Sequence, residues 1–423
     1  MRLLTTAVLL VITFCARAQV LPPIPESEIR RIENILASDE MVGRRVYTPG
    51  IEKAAAFISK EFEEAGLKPL PGANDFNQFF SIIDPEKIKT TANLDGAILD
   101  EKKIIAFTPD SLLSITPQSN YSKVFVKKGS NLSEVFFKYL DDKNNVIIFV
   151  DTSFALKFAR LATIHISQFS GSGNRIFLLT SNDPQQYSIQ ITQKIKKQNL
   201  RNIVGIIPGK SKPEEYVIFS AHYDHLGIGK PNAAGDSIFN GANDDGSGTT
   251  AVLALAKYFG RLQDNKRSII FAAFTAEEIG EFGSAYFSRQ LNPDKIIAML
   301  NIEMIGTESK WGKNSAYISG YDKSDLGVIL QKNLANSQFK FYPDPYPEQM
   351  LFLRSDNATL AKLGVPAHTI STSKMDSEKY YHTQGDEVNT LDLANMTEII
   401  RAIGLSAGSI IAGISTPTRV RTE

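Results

Sequence analysis

The chain has 423 residues, with 46 Lys and Arg balanced by 46 Asp and Glu, 43% hydrophobic residues and one cysteine. At roughly 150 residues per domain, this length allows two or three domains with a large core. The zero net charge argues against a polybasic nucleic-acid binder, so we expect no nucleic-acid partner. A local cluster of charged residues is still compatible with a zero net charge.

The first residues have the pattern of a secretory leader. Met1-Arg2 supplies a positive start, Leu3–Ala16 is apolar, and Ala16-Arg17-Ala18 has the small-x-small form that signal peptidase cuts. We therefore predict a signal peptide over residues 1–18 and a secreted or periplasmic mature protein.

Two alternatives to a cleaved leader are less favoured. An apolar run of about 14 residues is shorter than the roughly 20 that span a bilayer, which argues against a membrane anchor. A lipoprotein would need a small residue before Cys15, where Phe14 stands. We expect no membrane span after cleavage, and without cysteine the mature chain must be stabilised by core burial or by bound metal.

The next segments differ in their hydrophobic period. In residues 19–84, helical spacing of apolar residues predicts one helix around Ile29–Leu36 and a second from about Gly50 to Gly66. Residues 85–195 change to short β-rich runs such as Asn145–Val150, separated by turn residues. They predict a smaller β-rich inserted domain.

After Arg201 the pattern alternates between strand and helix, which favours an α/β sheet. The predicted elements are strand 217–221, helix 247–262, strand 268–274 and strand 296–302. Binding sites in such sheets form beyond the carboxyl ends of the strands, so the residues that follow each strand are the candidates for chemistry.

Histidine and acidic residues follow all three strands. The first strand leads into His222-Tyr223-Asp224-His225, the second into Glu277-Glu278 and the third into Glu303. A glycine-rich loop before the helix carries Asp244, and His382 lies in a late polar loop. These imidazoles and carboxylates are the ligand types that zinc accepts.

The spacing also suggests separate roles. Asp224 could orient the ring of His222, as carboxylates orient metal-bound imidazoles. In the Glu277-Glu278 pair, one side chain could bind metal while its neighbour acts as a general base. Asp244, central in chain order, is the candidate bridge between two metals. Each motif alone is more often structural, and the prediction rests on their placement at successive strand ends.

These motifs resemble the two-zinc exopeptidases, a family that includes secreted leucyl aminopeptidases, glutamate carboxypeptidase II and glutaminyl cyclases. The similarity extends over most of the chain, and the blocks that carry it are Leu36–Arg44, Thr48–Gly50, Phe62–Pro69, His222–Gly227, Asn240–Gly248, Phe274–Gly280 and Asn301–Gly306.

The resemblance implies a three-layer α/β fold, with a central mixed, mostly parallel sheet flanked by helices. Residues 19–84 and 196–423 would form the catalytic domain, and the insert 85–195 is similar to a protease-associated module. Two Zn²⁺ ions per chain are implied: His222 and Glu303 would hold one, Glu278 and His382 the other, and Asp244 would bridge them. Glu277 would be the general base, and the peptide bond after Asp244 would be cis.

The chain departs from the family pattern at several positions. Glu303 stands where aspartate is usual, Asn357 where histidine is common, and Phe352 where some relatives have tyrosine. Tyr380 or Tyr381 could donate to an oxyanion, although packing is the more common role for such residues. His225 is expected to be a hydrogen-bonded loop histidine.

We therefore expect a zinc-dependent aminopeptidase that acts on peptides. The alternatives are a carboxypeptidase, for which Arg354 is the nearest candidate to bind a substrate carboxylate, a glutaminyl cyclase and a non-catalytic receptor-like domain. The sequence leaves the side-chain preference, the native metal and the oligomeric state open.

Overall fold

A computed structural model describes residues 24–140, 143–164 and 166–421, so the predicted signal peptide lies outside the described residues. Its α-helices are α1 (Glu26–Leu36), α2 (Pro49–Glu64), α3 (Leu132–Leu140), α4 (Ala155–Leu161), α5 (Ser247–Leu262), α6 (Phe282–Ser288), α7 (Leu326–Asn333), α8 (Asn357–Ala361), α9 (Leu393–Ser406) and α10 (Gly408–Ile411). Within these ranges, every helix is too short or too polar to cross a membrane.

The strands of the described residues are β1 (Asn77–Leu94), β2 (Ala97–Leu99), β3 (Ile104–Phe107), β4 (Leu112–Ile115), β5 (Ser122–Val126), β6 (Val146–Val150), β7 (Gln168–Phe169), β8 (Arg175–Leu179), β9 (Tyr187–Ile207), β10 (Lys212–His222), β11 (Gly227–Ile228), β12 (Ile238–Phe239), β13 (Arg267–Phe274), β14 (Ile296–Ile302), β15 (Ser315–Ile318), β16 (Lys340–Pro343) and β17 (Ala367–Ser371).

A large mixed sheet forms the centre of the molecule. Its strand order is β16-β15-β17-β14-β10-β13-β9-β1-β2. The four strands β17, β14, β10 and β13 run parallel to one another, and β9 and β1 continue the sheet in antiparallel pairs. The parallel strands form the part of the sheet whose carboxyl ends carry the candidate residues.

Helices cover both faces of this sheet. Val217 and Phe219 of β10 pack in one core with α1, α2, α5 and α9, whereas Ile218 points into a second core that contains Phe287 of α6 and Leu360 of α8. Alternate residues of a strand face opposite sides of a sheet, so these two cores lie on opposite faces. The predicted three-layer α/β architecture is confirmed.

Several element bounds agree closely with the sequence. Helix α5 and strand β14 have the predicted limits, and β13 begins one residue earlier, at Arg267. Helix α2 is followed by Gly66, whose φ of +75° is a backbone conformation that glycine adopts at little cost. The spacing of hydrophobic residues and the positions of glycines therefore predicted where these elements lie in the sequence.

The segment between β1 and β9 contains a second sheet. Strands β1 and β9 pair from Asn77 with Ile203 to Leu94 with Tyr187, and the smaller sheet has the order β3-β8-β6-β5. This sheet packs with α3 and α4 around its own buried residues, including Phe136 and Phe158. The two long strands pass through the predicted domain boundaries, and the division at 84/85 and 195/196 stays a prediction.

Candidate metal and catalytic site

Five chain segments bring the predicted site residues to one edge of the main sheet. Strand β10 ends at His222, β13 leads into the turn with Glu277, and β14 leads into Glu303. Because β10 is parallel to both β13 and β14, their carboxyl ends lie side by side. The loop before α5 adds Asp244, and the segment after β17 adds His382.

One group of ligand atoms lies around the first oxygen of Asp244. His222, Asp244 and Glu303 each offer an atom, and these atoms lie within 4.8 Å of one another. His222 Nε2 is 3.3 Å from Asp244 Oδ1. His222 Nε2 and Glu303 Oε2 are buried and have no hydrogen-bond partner. A buried polar atom without a partner is costly, so a cation between these atoms would satisfy both.

A second group lies around the other oxygen of Asp244. His382 Nε2 is 3.1 Å from Asp244 Oδ2 and 3.2 Å from Glu278 Oε2. On the opposite side, His225 Nδ1 is 2.8 Å from Glu278 Oε1. The carboxylate of Asp244 therefore faces both groups, which is the position expected for a residue that bridges two metal ions.

The chemistry of these atoms fits a divalent metal. Both groups consist of imidazole nitrogen and carboxylate oxygen, the ligands of zinc sites. His222, His225 and Asp244 are buried, and the concentrated carboxylate charge around them needs a compensating cation. The residues present would thus accommodate a metal in each group, and the assignment of individual ligands stays a prediction.

Burial and mutual contacts displace the pKa values of these groups in opposite directions. Burial raises the pKa of Glu303 to about 7 and that of Glu277 well above its usual range. Burial alone would also raise the pKa of Asp244, but the close contacts with the imidazoles of His222 and His382 outweigh it and lower the pKa.

The pKa values of the site histidines His222 and His382 are both raised. The contacts with Asp244 and Glu278 raise the pKa of His382 to about 10. Burial alone would lower the pKa of His222, but nearby carboxylates, with Glu277 foremost, raise it well above its usual value. A cation that binds to these atoms must displace the protons that these imidazoles and carboxyl groups hold.

The contact that orients His222 differs from the prediction. The carbonyl oxygen of Asp224 is 3.1 Å from His222 Nδ1, whereas its carboxylate oxygen is 3.9 Å away. The carboxylate instead accepts the backbone N–H of Glu277 at 3.2 Å. The backbone of Asp224 therefore fixes the ring of His222, and its side chain fixes the turn that carries Glu277.

Buried polar groups hold the Asp244 loop in place. The two carboxylate oxygens of Asp386 accept the backbone N–H groups of Asn243 at 2.7 Å and Asp244 at 3.0 Å. The buried guanidinium of Arg44 donates to the carbonyl oxygens of Asn240 and Gly241, and also to those of Leu36 and Tyr223. The peptide bond between Asp244 and Asp245 is cis, as the resemblance implied.

Glu277 lies beside the ligand groups without being part of either. Its carboxylate oxygen is 3.9 Å from His222 Nε2, and its side chain is partly exposed, whereas that of Glu278 is more enclosed between two histidines. The preceding residue, Ala276, has a φ of +60°, which turns the chain sharply after β13. The adjacent glutamates thus reach different places, and Glu277 is free to contact a substrate or water.

His225 is hydrogen-bonded, as expected, but the sequence did not predict that its partner is Glu278, a predicted metal ligand. It is buried and contacts Glu278, so two imidazoles, those of His225 and His382, approach the second group. The spacing of three residues between His222, at the end of β10, and His225, in the loop that follows, was the available signal.

The departures from the family pattern have structural explanations. Asn357 is buried and donates to the carbonyl oxygens of Phe352 and Ala367. The ring of Phe352 packs against His368, with ring centres 5.3 Å apart. These two side chains make packing and backbone contacts, whereas Tyr381 stacks on His382 and is partly exposed at the site.

Comparisons with known proteins give similar sequences over about half of the chain. Residues 202–406 match the model of peptidase family M28. The chain is 30% identical to leucine aminopeptidase 1 of Emericella nidulans over 219 residues, which cover 47% of this chain and 52% of that protein. It is 33% identical to aminopeptidase YwaD of Bacillus subtilis over 213 residues, 47% of this chain and 43% of that protein. The chain thus spans about half the length of these two relatives.

Solved structures show the same fold over nearly the whole chain. BSAP, a zinc aminopeptidase from Bacillus subtilis, superposes with a TM-score of 0.56 at 17% identity and covers 95% of this chain and 99% of its own. An aminopeptidase from Aneurinibacillus sp. strain AM-1 gives a TM-score of 0.55 at 17% identity, with coverage of 95% and 96%. The predicted site residues all lie within 202–406, the region that matches the model of peptidase family M28.

Proposed function

We propose that this protein is a zinc-dependent aminopeptidase that removes residues from the amino termini of peptides. The observation that carries the proposal is the position of Glu277 at the edge of two metal-compatible groups that share Asp244. The leucine aminopeptidase and the zinc aminopeptidase to which the chain is similar support the choice of reaction and metal.

We assign the metal ligands as the family resemblance implied. His222 and Glu303 would hold one zinc, Glu278 and His382 the other, and Asp244 would bridge them, which gives two zinc ions per chain. The buried, unpartnered His222 Nε2 and Glu303 Oε2 support the first site. The approach of His382 Nε2 to both Asp244 and Glu278 supports the second. Bound zinc would polarise the peptide carbonyl and lower the pKa of a water molecule.

The role of Glu277 follows from its charge and surroundings. Burial raises the pKa of its carboxyl group, so the carboxylate is a stronger proton acceptor than an exposed glutamate. It would take a proton from the attacking water and return that proton to the nitrogen of the departing peptide. The Asp224 carboxylate, which accepts the backbone N–H of Glu277, would hold the Glu277 turn in place for both transfers.

A mixed pool of peptides tests this function. Each peptide is supplied with a free and with a blocked amino terminus, and mass spectrometry follows its loss of residues in the presence of zinc. We expect stepwise trimming of the free peptides alone. Trimming from the carboxyl end would assign a carboxypeptidase, and loss of ammonia from N-terminal glutamine a cyclase.

The variant Glu277→Gln tests the assignment of the base. We expect it to lower kcat by at least 10²-fold, since positioned acid–base groups contribute about 10²–10⁴. Zinc content should stay at the wild-type value because Glu277 is outside both ligand groups. Glu63→Gln, on the exposed side of α2, is the matched control. Full activity in Glu277→Gln would refute the assignment.

The cellular location is also proposed. The leader-like residues 1–18 support export to the periplasm or the medium. Amino-terminal sequencing of the protein recovered from the native cell envelope and medium tests this. A chain that still begins at Met1 and stays in the cytosol would contradict it.

A further inference from the structure

A small cavity adjoins the first ligand group. It has a volume of about 50 Å³, and Glu303 and Met304 form one wall, with Leu351, Arg354 and Met375 among the other lining residues. A peptide whose scissile carbonyl lies at the metal groups must place the side chain of its terminal residue within a few ångströms. This cavity is therefore the candidate pocket for that side chain, a step that rests on the proposed function.

Arg354 is the only positively charged residue among those that line the cavity, and the only acidic one is the predicted ligand Glu303. In the described part of the chain, no carboxylate lies within 4.0 Å of the Arg354 guanidinium. Its recorded contacts are long hydrogen bonds to Gln349, at 3.4 Å to the carbonyl oxygen and 3.3 Å to Oε1. The guanidinium thus keeps most of its donors available.

The backbone beside Arg354 is anchored to the metal site. The neighbouring Ser355 is buried, accepts a hydrogen bond of 2.8 Å from Asn301 Nδ2, and its hydroxyl also contacts Glu303. Arg354 donates its own N–H to the carbonyl oxygen of Leu351 at 3.3 Å. Arg354 is adjacent in sequence to Ser355, which contacts the predicted ligand Glu303. The backbone of Arg354 therefore has a defined position relative to the bond to be cleaved.

The other lining groups suit a side chain with a short apolar stem and a polar end. Leu351, Met304 and Met375 supply apolar surface, whereas Ser371 and Ser373 supply hydroxyl groups. A guanidinium binds a carboxylate with two parallel hydrogen bonds, which gives it geometric selectivity for that group. A carboxylate of a substrate would therefore be a suitable partner for Arg354.

We propose that Arg354 selects substrates that present a carboxylate in this cavity. In an aminopeptidase this group is the side chain of an N-terminal aspartate or glutamate. The same contact with an α-carboxylate would select the carboxyl end of a peptide. Both sources share one chemistry, and the experiment distinguishes them.

Pairs of substrates that differ only in charge measure this selectivity. The zinc-loaded full chain is assayed with the 4-nitroanilides of glutamate and glutamine, and of aspartate and asparagine. We expect kcat/KM for the acidic member to exceed that of its neutral partner by roughly tenfold or more, as for a charge-assisted contact. Arg354→Gln should bring the ratio close to one, and Arg354→Lys should give an intermediate ratio because it keeps the charge without the planar fork.

Arg160→Gln is the matched control for this series. Arg160 is an exposed arginine on α4, outside the cavity, so its loss changes the net charge equally but should leave the ratio unchanged. A fall of the ratio in both variants would indicate a general field effect and overturn the assignment to Arg354.

Peptides with free and amidated carboxyl termini form the second arm. Trimming from the carboxyl end that requires a free α-carboxylate, and that is lost in Arg354→Gln, would assign the α-carboxylate as the source. Equal rates for every acidic and neutral pair, with no dependence on a free carboxyl end, would overturn the inference while leaving the proposed function intact.

Inhibitor binding separates the two proposals if no substrate is hydrolysed. In that case the proposed function fails, and calorimetry with glutamate hydroxamate and glutamine hydroxamate decides the inference. Tighter binding of the glutamate compound to the wild type but not to Arg354→Gln would support it. Equal affinities would refute it.

Discussion

Single residues at this site owe their properties to what surrounds them. Glu277 and Glu278 are neighbours of identical chemistry, but Glu278 is enclosed between His225 and His382, whereas Glu277 projects beside His222. Burial raises the pKa of Glu277, whereas for Glu278 the hydrogen bonds from the two histidines outweigh burial and lower the pKa. One residue is thus suited to exchange protons and the other to stay ionised as a ligand.

Glu33, beneath the site, allows a test of how burial changes the pKa of a carboxyl group. It is fully buried on α1 and accepts a hydrogen bond of 2.6 Å from the Thr250 hydroxyl. Burial raises its pKa to about 8 from an ordinary value of 4.5. Between these values the folded state binds a proton that the unfolded state releases, so the free energy of unfolding must fall as the pH rises.

We expect Glu33→Gln to lose this part of the pH dependence. Between about pH 5.5 and pH 8.5, the wild type should lose up to a few kcal/mol more stability than the variant. Denaturant titrations with saturating zinc at both pH values measure the difference. Glu63→Gln, an exposed change on α2, should follow the wild type. Equal losses in wild type and Glu33→Gln would mean that folded Glu33 is already ionised at the lower pH.

At the scale of elements, close packing of α5 against β14 sets the distance between metal ligands. Gly248 lies in the first turn of α5, and a Cβ there would overlap the carbonyl oxygen of Ile302 and the carboxylate of Asp245. Asp244 precedes this helix and Glu303 follows this strand. The absence of a side chain at Gly248 therefore brings two predicted ligands together.

Gly248→Ala should move the start of α5 away from β14. We expect a loss of about 1–3 kcal/mol in stability, as for overpacked cores, and a zinc affinity lowered by roughly tenfold or more. Thermal unfolding and competition with a chelator measure the two effects. Gly408→Ala is the control, because nothing lies within 4 Å of a Cβ at that position. Wild-type zinc affinity in Gly248→Ala would contradict the packing argument.

The sequence predicted the elements better than the contacts between them. Local signals located α5 and β14 to the residue, because their hydrophobic periods end at polar or glycine-rich segments. The contacts of Arg44 with carbonyl oxygens at residues 36, 223 and 241 could not be read from the sequence, since they join segments that only the fold brings together. The contacts of Asp224 could not be read from the sequence either. Its backbone carbonyl, rather than its carboxylate, contacts the ring of His222, and its carboxylate accepts the backbone N–H of Glu277.

For the whole molecule, the described structure separates the site from the second sheet. All predicted site residues lie after β9, whereas the smaller sheet is inserted between β1 and β9. The smaller sheet shares a core with the far ends of β1 and β9. The inserted segment also reaches a cluster next to the site, where Phe169 of β7 packs against Phe80, Phe282 and Tyr286. This same cluster contains Ala276, the residue before Glu277.

This arrangement predicts that the insert can be removed without loss of the metal site. Asp84 and Lys196 are paired across the β1–β9 ladder, so an Asn-Gly turn in place of residues 85–195 can close the hairpin. We expect the shortened chain to fold and to bind as much zinc as the full chain, with stability lowered by about 1–4 kcal/mol because Phe169 is lost. Zinc stoichiometry and thermal unfolding measure the outcome.

The variant Phe169→Ala in the full chain tests how much of the stability loss comes from the contacts of Phe169 and how much from the rest of the insert. If Phe169 carries most of the coupling, this single change should reproduce most of the stability loss of the deletion. A much larger loss in the deletion, together with loss of bound zinc, would mean that the second sheet supports the site through the length of β1 and β9. The predicted domain division would then be wrong, because strands that cross both boundaries would make one cooperative unit of the two sheets.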